Sequence, residues 1–201
     1  MDKNVKIAKQ LVRIAKMLVS NAGDDIESMS TDEKLRILRS NASPEILEKL
    51  AEDEDVDVRE GVAENPRTPV EILTKLAEDE DKHVRFEVAR NPKAPVDILT
   101  KLAEDEREYV RRAVAYNPNT PVEALKKLAE DEYWDIRYEA AKNPKTPVEL
   151  LRKLAEDEDY GVRCGVAKNP KTPVDILKKL AEDKDKNVRN NAMHQLRERG
   201  Q

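Results

Sequence analysis

The dipeptide Asn-Pro recurs at Asn65, Asn91, Asn117, Asn143 and Asn169, each 26 residues after the one before. A fixed period of this length marks a chain built from one supersecondary unit stacked on copies of itself. An earlier unit starts at Asn41 and is two residues shorter, with Ala42-Ser43-Pro44 in place of the longer junction that follows Asn65. The period divides the chain into six repeats, 41–64, 65–90, 91–116, 117–142, 143–168 and 169–194, preceded by residues 1–40 and followed by 195–201.

Each repeat carries two helix signals. In the second, Thr68-Pro69-Val70-Glu71 reads as a capping box with proline at the first helical position, the Thr oxygen accepting an orphan N–H and Glu71 reaching back. Helix A then lines up Ile72, Leu73, Leu76 and Ala77 on one apolar stripe. Glu71 and Lys75 stand at the favourable i,i+4 spacing on its solvent side. Helix B follows the acidic turn Asp79-Glu80-Asp81, whose charge suits a helix N-terminus, and buries Val84, Val88 and Ala89. Asn91 can take a left-handed cap conformation, and Pro92 forbids continuation. Two helices this short cannot bury their stripes alone, but stacked repeats can. The fold predicted is all-α, a right-handed α-solenoid of six two-helix repeats with an N-terminal helical cap over 1–40. In that cap, residues 2–21 form an amphipathic helix with Ile7, Leu11, Ile14 and Leu18 inward, and Ser30-Thr31-Asp32-Glu33 opens a shorter one. Residues 195–201 serve as a C-terminal cap or tail.

Composition agrees. Charged residues make up 39% and aromatics 3%, which suits charged-faced helices better than a β-sandwich. No apolar run approaches the roughly 20 residues that span a bilayer. A single cysteine excludes an intramolecular disulfide and suits a reducing, cytoplasmic setting. The net charge of -5 argues against a dedicated nucleic-acid binder.

The run Val84-Arg85-Phe86-Glu87-Val88-Ala89-Arg90-Asn91-Pro92, followed by Pro95 to Leu99, Leu102 and Ala103, resembles the leucine-rich repeat variant family, whose units carry VRxxVAxNP and then a Pro-led LxxLA helix. The likeness covers about 41–194. It implies a right-handed superhelix in which 3₁₀ and α helices alternate, and for some members an iron–sulfur module. The cysteines for that module are missing, so no cofactor carries over. The i,i+4 recurrence of Val84/Val88 and Arg85/Ala89 favours α geometry in both helices.

Nothing in the chain reads as an enzyme. The serines all lie at or before Ser43, His83 and His194 fall in repeats two and six, and Cys164 has no histidine close in sequence. Its expected role is a partly exposed structural thiol. The acidic runs such as Asp53-Glu54-Asp55 lack the glycine of a calcium loop, so no catalytic, cofactor or metal residue is assigned. The invariant column Arg59, Arg85, Arg111, Arg137, Arg163 and Arg189 repeats in step with Asp53, Asp79, Asp105, Asp131, Asp157 and Asp183. Each arginine therefore has a carboxylate available, and the column reads as scaffold.

Function shows instead where the repeats differ. Five columns of helix B vary, represented by Lys82, His83, Phe86, Glu87 and Arg90, and they share one arc of the helix. They make up 30 of 201 positions, yet hold six of the seven aromatics: Phe86, Tyr109, Tyr116, Trp134, Tyr138 and Tyr160. Tyr133 precedes Trp134. Exposed aromatics are a solubility liability unless used, and Tyr, Trp and Arg are what binding surfaces collect. The candidate partner-binding set is thus Lys82, His83, Phe86, Arg90, Tyr109, Arg112, Tyr116, Tyr133, Trp134, Tyr138 and Tyr160. Trp134 and Tyr138, i,i+4 on one helix, should form its centre, flanked by Tyr109, Tyr116 and Tyr160. The balanced charges of the same columns favour a folded protein or peptide over nucleic acid, and the chain is expected to be a monomer rather than an oligomer. An assembly module without a discrete ligand is the second reading. Nucleic-acid binding through the basic residues of the A helices, among them Lys93, Lys126 and Lys145, ranks last.

Overall fold

The computed structural model describes Val12, residues 26–40 and residues 42–200, so the amphipathic segment expected over 2–21 lies, Val12 apart, outside the described residues. The chain forms two compact units, Met1–Lys93 and Ala94–Gln201. All thirteen helices among the described residues are α.

The first unit holds a helix at Thr31–Arg39, then helix A (Pro44–Leu50) and helix B (Val56–Glu64) of repeat one, and helix A (Val70–Leu76) and helix B (Lys82–Arg90) of repeat two. The second unit continues the pattern with A helices at Val96–Leu102, Val122–Leu128, Val148–Leu154 and Val174–Leu180. Its B helices are Glu108–Tyr116, Trp134–Lys142, Tyr160–Lys168 and the longer Lys186–Glu198. Both helices of each repeat are α, as the i,i+4 spacing predicts and unlike the 3₁₀ alternation that the family resemblance implied. Within each unit the core is a periodic stack: Leu73, Leu76, Val84, Val88 and Ala89 in repeat two, with Leu125, Leu128, Ile136, Ala140 and Ala141 in repeat four, all buried.

Three local expectations are corrected. The threonine before helix A of repeats two, four, five and six is not an N-cap. Thr68 is fully buried and its hydroxyl donates to the Val62 carbonyl at 2.6 Å. Thr120, Thr146 and Thr172 do the same to Val114, Ala140 and Val166. The last carbonyls of a buried helix B have no water to turn to, whereas the first N–H groups of helix A face solvent, so the hydroxyl goes where the need is greater. Helix A accordingly starts after its proline, whose carbonyl accepts the first helical bond, as in Leu73 N–H to Pro69. Only in repeat one is the proline, Pro44, the first helical residue, with Ser43 Oγ accepting from the Ile46 N–H at 3.4 Å.

The junction asparagines are not left-handed either: among the described residues only Gly200 has positive φ. Asn143 is extended and buried, its amide donating to the carbonyls of Ala115 at 2.8 Å and Asn117 at 2.9 Å, while its Oδ1 accepts from the Lys145 N–H. Asn91 makes the same bonds to Ala63 and Asn65, and Asn169 to Ala141 and Asn143. Each asparagine thus ties its own junction to the one a repeat earlier. Arg199 makes a similar closure after the last helix, donating to the carbonyls of Thr172 and Pro170.

Lys75, finally, pairs with Glu52 of the preceding repeat rather than with Glu71, and Lys153 and Lys179 pair likewise with Glu130 and Glu156. These pairs are exposed and contribute little each.

The arginine column is scaffold, as its spacing predicts. Arg59 forks onto Asp79 at 2.7 and 3.0 Å, and Arg111, Arg137 and Arg163 fork onto Asp131, Asp157 and Asp183. The remaining nitrogen of each holds carbonyls of its own turn, Asp53 and Glu54 for Arg59. Lys34 fills the arginine's place at Asp53, at 2.5 Å.

Candidate functional site

Helix B of repeat four presents Trp134, Tyr138 and Lys142 along one side, one turn apart. Helix B of repeat five lies against it and carries two glycines at the same spacing, Gly161 and Gly165. A methyl group on Gly161 would stand 2.9 Å from Cζ3 of Trp134, and one on Gly165 would stand 2.8 Å from the Tyr138 carbonyl oxygen and 3.0 Å from its ring. Only glycine leaves room for the two helices and their aromatic rings at this separation. The indole therefore rests on the backbone of the next repeat.

The close approach shapes a groove of about 550 Å³. Trp134, Tyr138 and Tyr160 line it together with Cys164, Lys168, Asn187 and Asn191, and with Arg112, Asp135 and Glu139. Trp134 is 51% exposed and Tyr160 52%, so both rings face solvent although neither is needed there for solubility. Cations interleave with the aromatics. Lys142 Nζ lies 5.9 Å from the Tyr116 ring centre and 5.6 Å from that of Tyr138, and Lys168 Nζ lies 5.7 Å from Tyr138, within cation–π range. The carboxylates are paired: Asp135 with Arg112 at 3.0 Å and Glu139 with Lys142 at 3.8 Å.

Cys164 is a correction. It is 6% exposed rather than partly open, and burial pushes its thiol above the ordinary range, partly offset by a hydrogen bond with Asn191. That is an unreactive thiol.

The residues singled out from the sequence fall into three places. Trp134, Tyr138 and Tyr160 meet with Arg112 in the groove, and Lys142 links Tyr116 to them. Tyr109 is half-buried on helix B of repeat three. Tyr133 leaves the group, its ring lying 5.8 Å from the guanidinium of the scaffold residue Arg111. It also stands where other repeats have a capping aspartate, such as Asp159, whose side chain accepts the Gly161 N–H. Lys82, His83, Phe86 and Arg90 belong to the first unit, where Arg90 covers the Phe86 ring at 5.4 Å and pairs with Glu87 at 2.9 Å. The sequence reading missed Gly161, Gly165 and Asn187, and it counted Lys168 among the charges of the variable columns without placing it in the partner-binding set. A signal was there: of five glycines in the chain, two stand four apart on one helix, opposite Trp134 and Tyr138.

The model of the family described as leucine rich repeat variant matches residues 56–81 and 110–132, each stretch running from a helix B through the junction and the next helix A. The chain's repeats are similar to those of the leucine rich repeat variant family. A solved structure described as a leucine-rich repeat variant with a novel repetitive protein structural motif is 28% identical to this chain, with a TM-score of 0.63. The match covers 83% of this chain and 66% of that protein, so the chain spans just under two thirds of it. Two crystal structures of engineered proteins are each 21% identical. One has a TM-score of 0.47 over 94% of this chain and 67% of its own, the other 0.42 over 86% and 85%. No curated protein matches in sequence. The junctions, buried columns and arginine ladder thus form a scaffold similar to a leucine rich repeat variant, and the groove is built from its variable positions.

Proposed function

We propose that this chain is a non-catalytic scaffold, similar to a leucine rich repeat variant, that binds a protein or peptide through the variable side of its B helices, centred on repeats four and five. One observation carries the reading: Trp134, Tyr138 and Tyr160, from a chain with seven aromatics in 201 residues, surround one open groove. Rigid aromatic anchors around a concavity, rimmed by paired charges, have the layout of an interface hot spot. The ladders behind the groove hold both helices in place before any partner arrives, which lowers the ordering cost of binding. No helix among the described residues is long and apolar enough to cross a membrane, and among them no group of three or more His, Cys, Asp or Glu is placed to hold a metal ion. A monomer in a reducing, cytoplasmic compartment fits the single buried thiol.

The test is selection from a displayed peptide library on the native chain, repeated on a variant with Trp134, Tyr138 and Tyr160 all changed to Ala. Selected peptides should bind the native chain and not the variant. Trp134→Ala alone should lower affinity by about 2 kcal/mol or more, while the thermal midpoint moves by no more than about 2 °C. Binders indifferent to all three substitutions would sink the reading, as would a large loss of stability from Trp134→Ala.

A further inference from the structure

Within the unit Ala94–Gln201 each repeat receives the next one through the same two charges. Lys127, in the last turn of a helix A, and Asp131, just beyond it, meet Glu104 and Arg111 of the repeat before. Lys153 and Asp157 meet Glu130 and Arg137, and Lys179 and Asp183 meet Glu156 and Arg163. Repeat six carries the receiving pair again, as Glu182 and Arg189, and among the described residues neither has a partner of opposite charge. Arg189 is nonetheless set as the others are. Its Nη1 donates to the carbonyls of Asp183 at 2.6 Å and Lys184 at 2.9 Å, as Nη1 of Arg163 donates to those of Asp157 and Glu158. Arg163 uses its Nε and Nη2 to fork onto Asp183. In Arg189 the same two nitrogens have no acceptor among the described residues.

The surroundings of Arg189 open in step. Ala115, Ala141 and Ala167 are fully buried, whereas Met193, in the same column and one turn from Arg189, is 40% exposed. Ala129 and Ala155 are buried, and Ala181 in repeat six is only partly covered. We propose that this end of the stack docks an α-helical segment of another protein that carries Lys-x-x-x-Asp where a helix ends. The aspartate forks onto Arg189, the lysine pairs with Glu182, and the segment covers Met193. The surface continues an interface that the chain already makes three times, and its charges select the partner: one acidic and one basic receiver call for a donor pair of the opposite signs, not for a purely acidic peptide or a phosphate backbone. The two pairs are unequal. The Lys–Glu pairs are exposed and contribute little, but in the Arg–Asp forks no side chain is more than 14% exposed, so the fork dominates. A second copy of this chain does not supply the donor. Its first repeat has Asp53 in the right place, but Lys34 holds that carboxylate at 2.5 Å. The end surface shares no residue with the aromatic groove.

The probe is a fragment of residues 117–194, labelled with fluorescein at its N-terminus, whose leading helix A brings Lys127 and Asp131 without Glu104 and Arg111. Arg189→Gln within the fragment keeps it from stacking on itself. The full chain is titrated into the probe and binding is read by fluorescence anisotropy; the fragment need not be fully folded beforehand, because stacking supplies the neighbour its first repeat has lost. The native chain should bind it. Arg189→Gln in the chain should weaken binding about thirtyfold or more, and Asp131→Asn in the fragment, which leaves the chain untouched, should do the same. Glu182→Gln should weaken it by no more than about fivefold. The chain with Trp134, Tyr138 and Tyr160 all changed to Ala should bind as the native chain does. Absence of binding, or binding indifferent to Arg189→Gln and Asp131→Asn, overturns the proposal. So does binding lost in the triple-alanine chain, which would put the fragment in the groove. Sedimentation of the chain alone should show a monomer; a dimer dissolved by Arg189→Gln would make the occupant a second copy and overturn the choice of partner.

Discussion

Helix B of repeat one and helix B of repeat five carry glycine in the same column, Gly61 and Gly165, and the two glycines admit different neighbours. A methyl group on Gly61 would meet the side-chain ends of Leu38 at 2.9 Å and Leu35 at 3.3 Å, both from the helix Thr31–Arg39. On Gly165 it would meet the backbone of Tyr138. Beside Gly61 lies a concavity of about 670 Å³ whose charged lining is Asp57, Glu60, Glu64, Arg39 and Arg67, with no aromatic residue. Beside Gly165 lies the aromatic groove. The same backbone step, made possible by the same residue, yields an acidic surface in one place and an aromatic one in the other. The ladders that set the backbone are indifferent to the variable columns, so those columns are free to carry chemistry.

The largest effect should fall on what both regions share. Leu128→Ala removes a fully buried anchor of helix A and should cost about 2–5 kcal/mol in urea unfolding; a shift typical of a surface substitution would show that the stack does not rest on this column. Asn143→Ala should come next, at about 1–3 kcal/mol, because it strips the buried carbonyls of Ala115 and Asn117 of their donor. The glycine pair then puts the comparison itself at risk. Gly165→Ala should destabilise by about 1–3 kcal/mol, since backbone cannot give way easily. Gly61→Ala meets only leucine ends that can move and gains about 0.5–1 kcal/mol of helix propensity, so it should be close to neutral. Equal losses at both sites would mean that the column, not the neighbour, sets the cost.

The smallest effect is a matter of pH. Burial, and then the charge of Glu87, hold the Glu60 carboxyl above its ordinary range. The folded chain therefore keeps this proton where the unfolded chain has released it. The group's stabilisation is present below the ordinary carboxylate pKa and is lost as pH rises through the raised value. Glu60→Gln should raise the thermal midpoint slightly near neutral pH and leave it unchanged in acid; a variant less stable at neutral pH would remove the strained-acid description of this face. Asp79 and Asp183 run the other way. Burial pushes them up, but the arginine forks and the N–H groups of Asp81 and Asp185 outweigh it and leave them lowered. Their contribution is present above the ordinary carboxylate pKa and fades as pH falls through the lowered one.

Much of this was legible along the chain. The period set the repeats, the apolar spacing at Leu73/Leu76 and Val84/Val88 set which sides of each helix are buried, and the paired columns of Arg59 and Asp79 announced a scaffold. These features depend on helix geometry and on a unit copied in register, and both are written in local spacing. The surplus of aromatics in the variable columns was legible for the same reason, as a departure from the copied pattern.

What only the tertiary structure decided concerns partners across repeats. Thr68 looked like a helix cap and Asn91 like a left-handed stop because their local sequences allow both. Buried carbonyls from a neighbouring helix or an earlier junction claimed their polar groups instead, and local spacing contains no term for that demand. Tyr133 and Trp134 are adjacent in sequence, yet one joins the arginine ladder and the other the groove, because the helix begins between them. The groove itself exists because Gly161 and Gly165 bring two B helices close enough for an indole to lie across the gap. Periodicity specifies which residues share a column. The distance between columns is set by the bulk of whatever side chain stands, or is missing, where two helices touch.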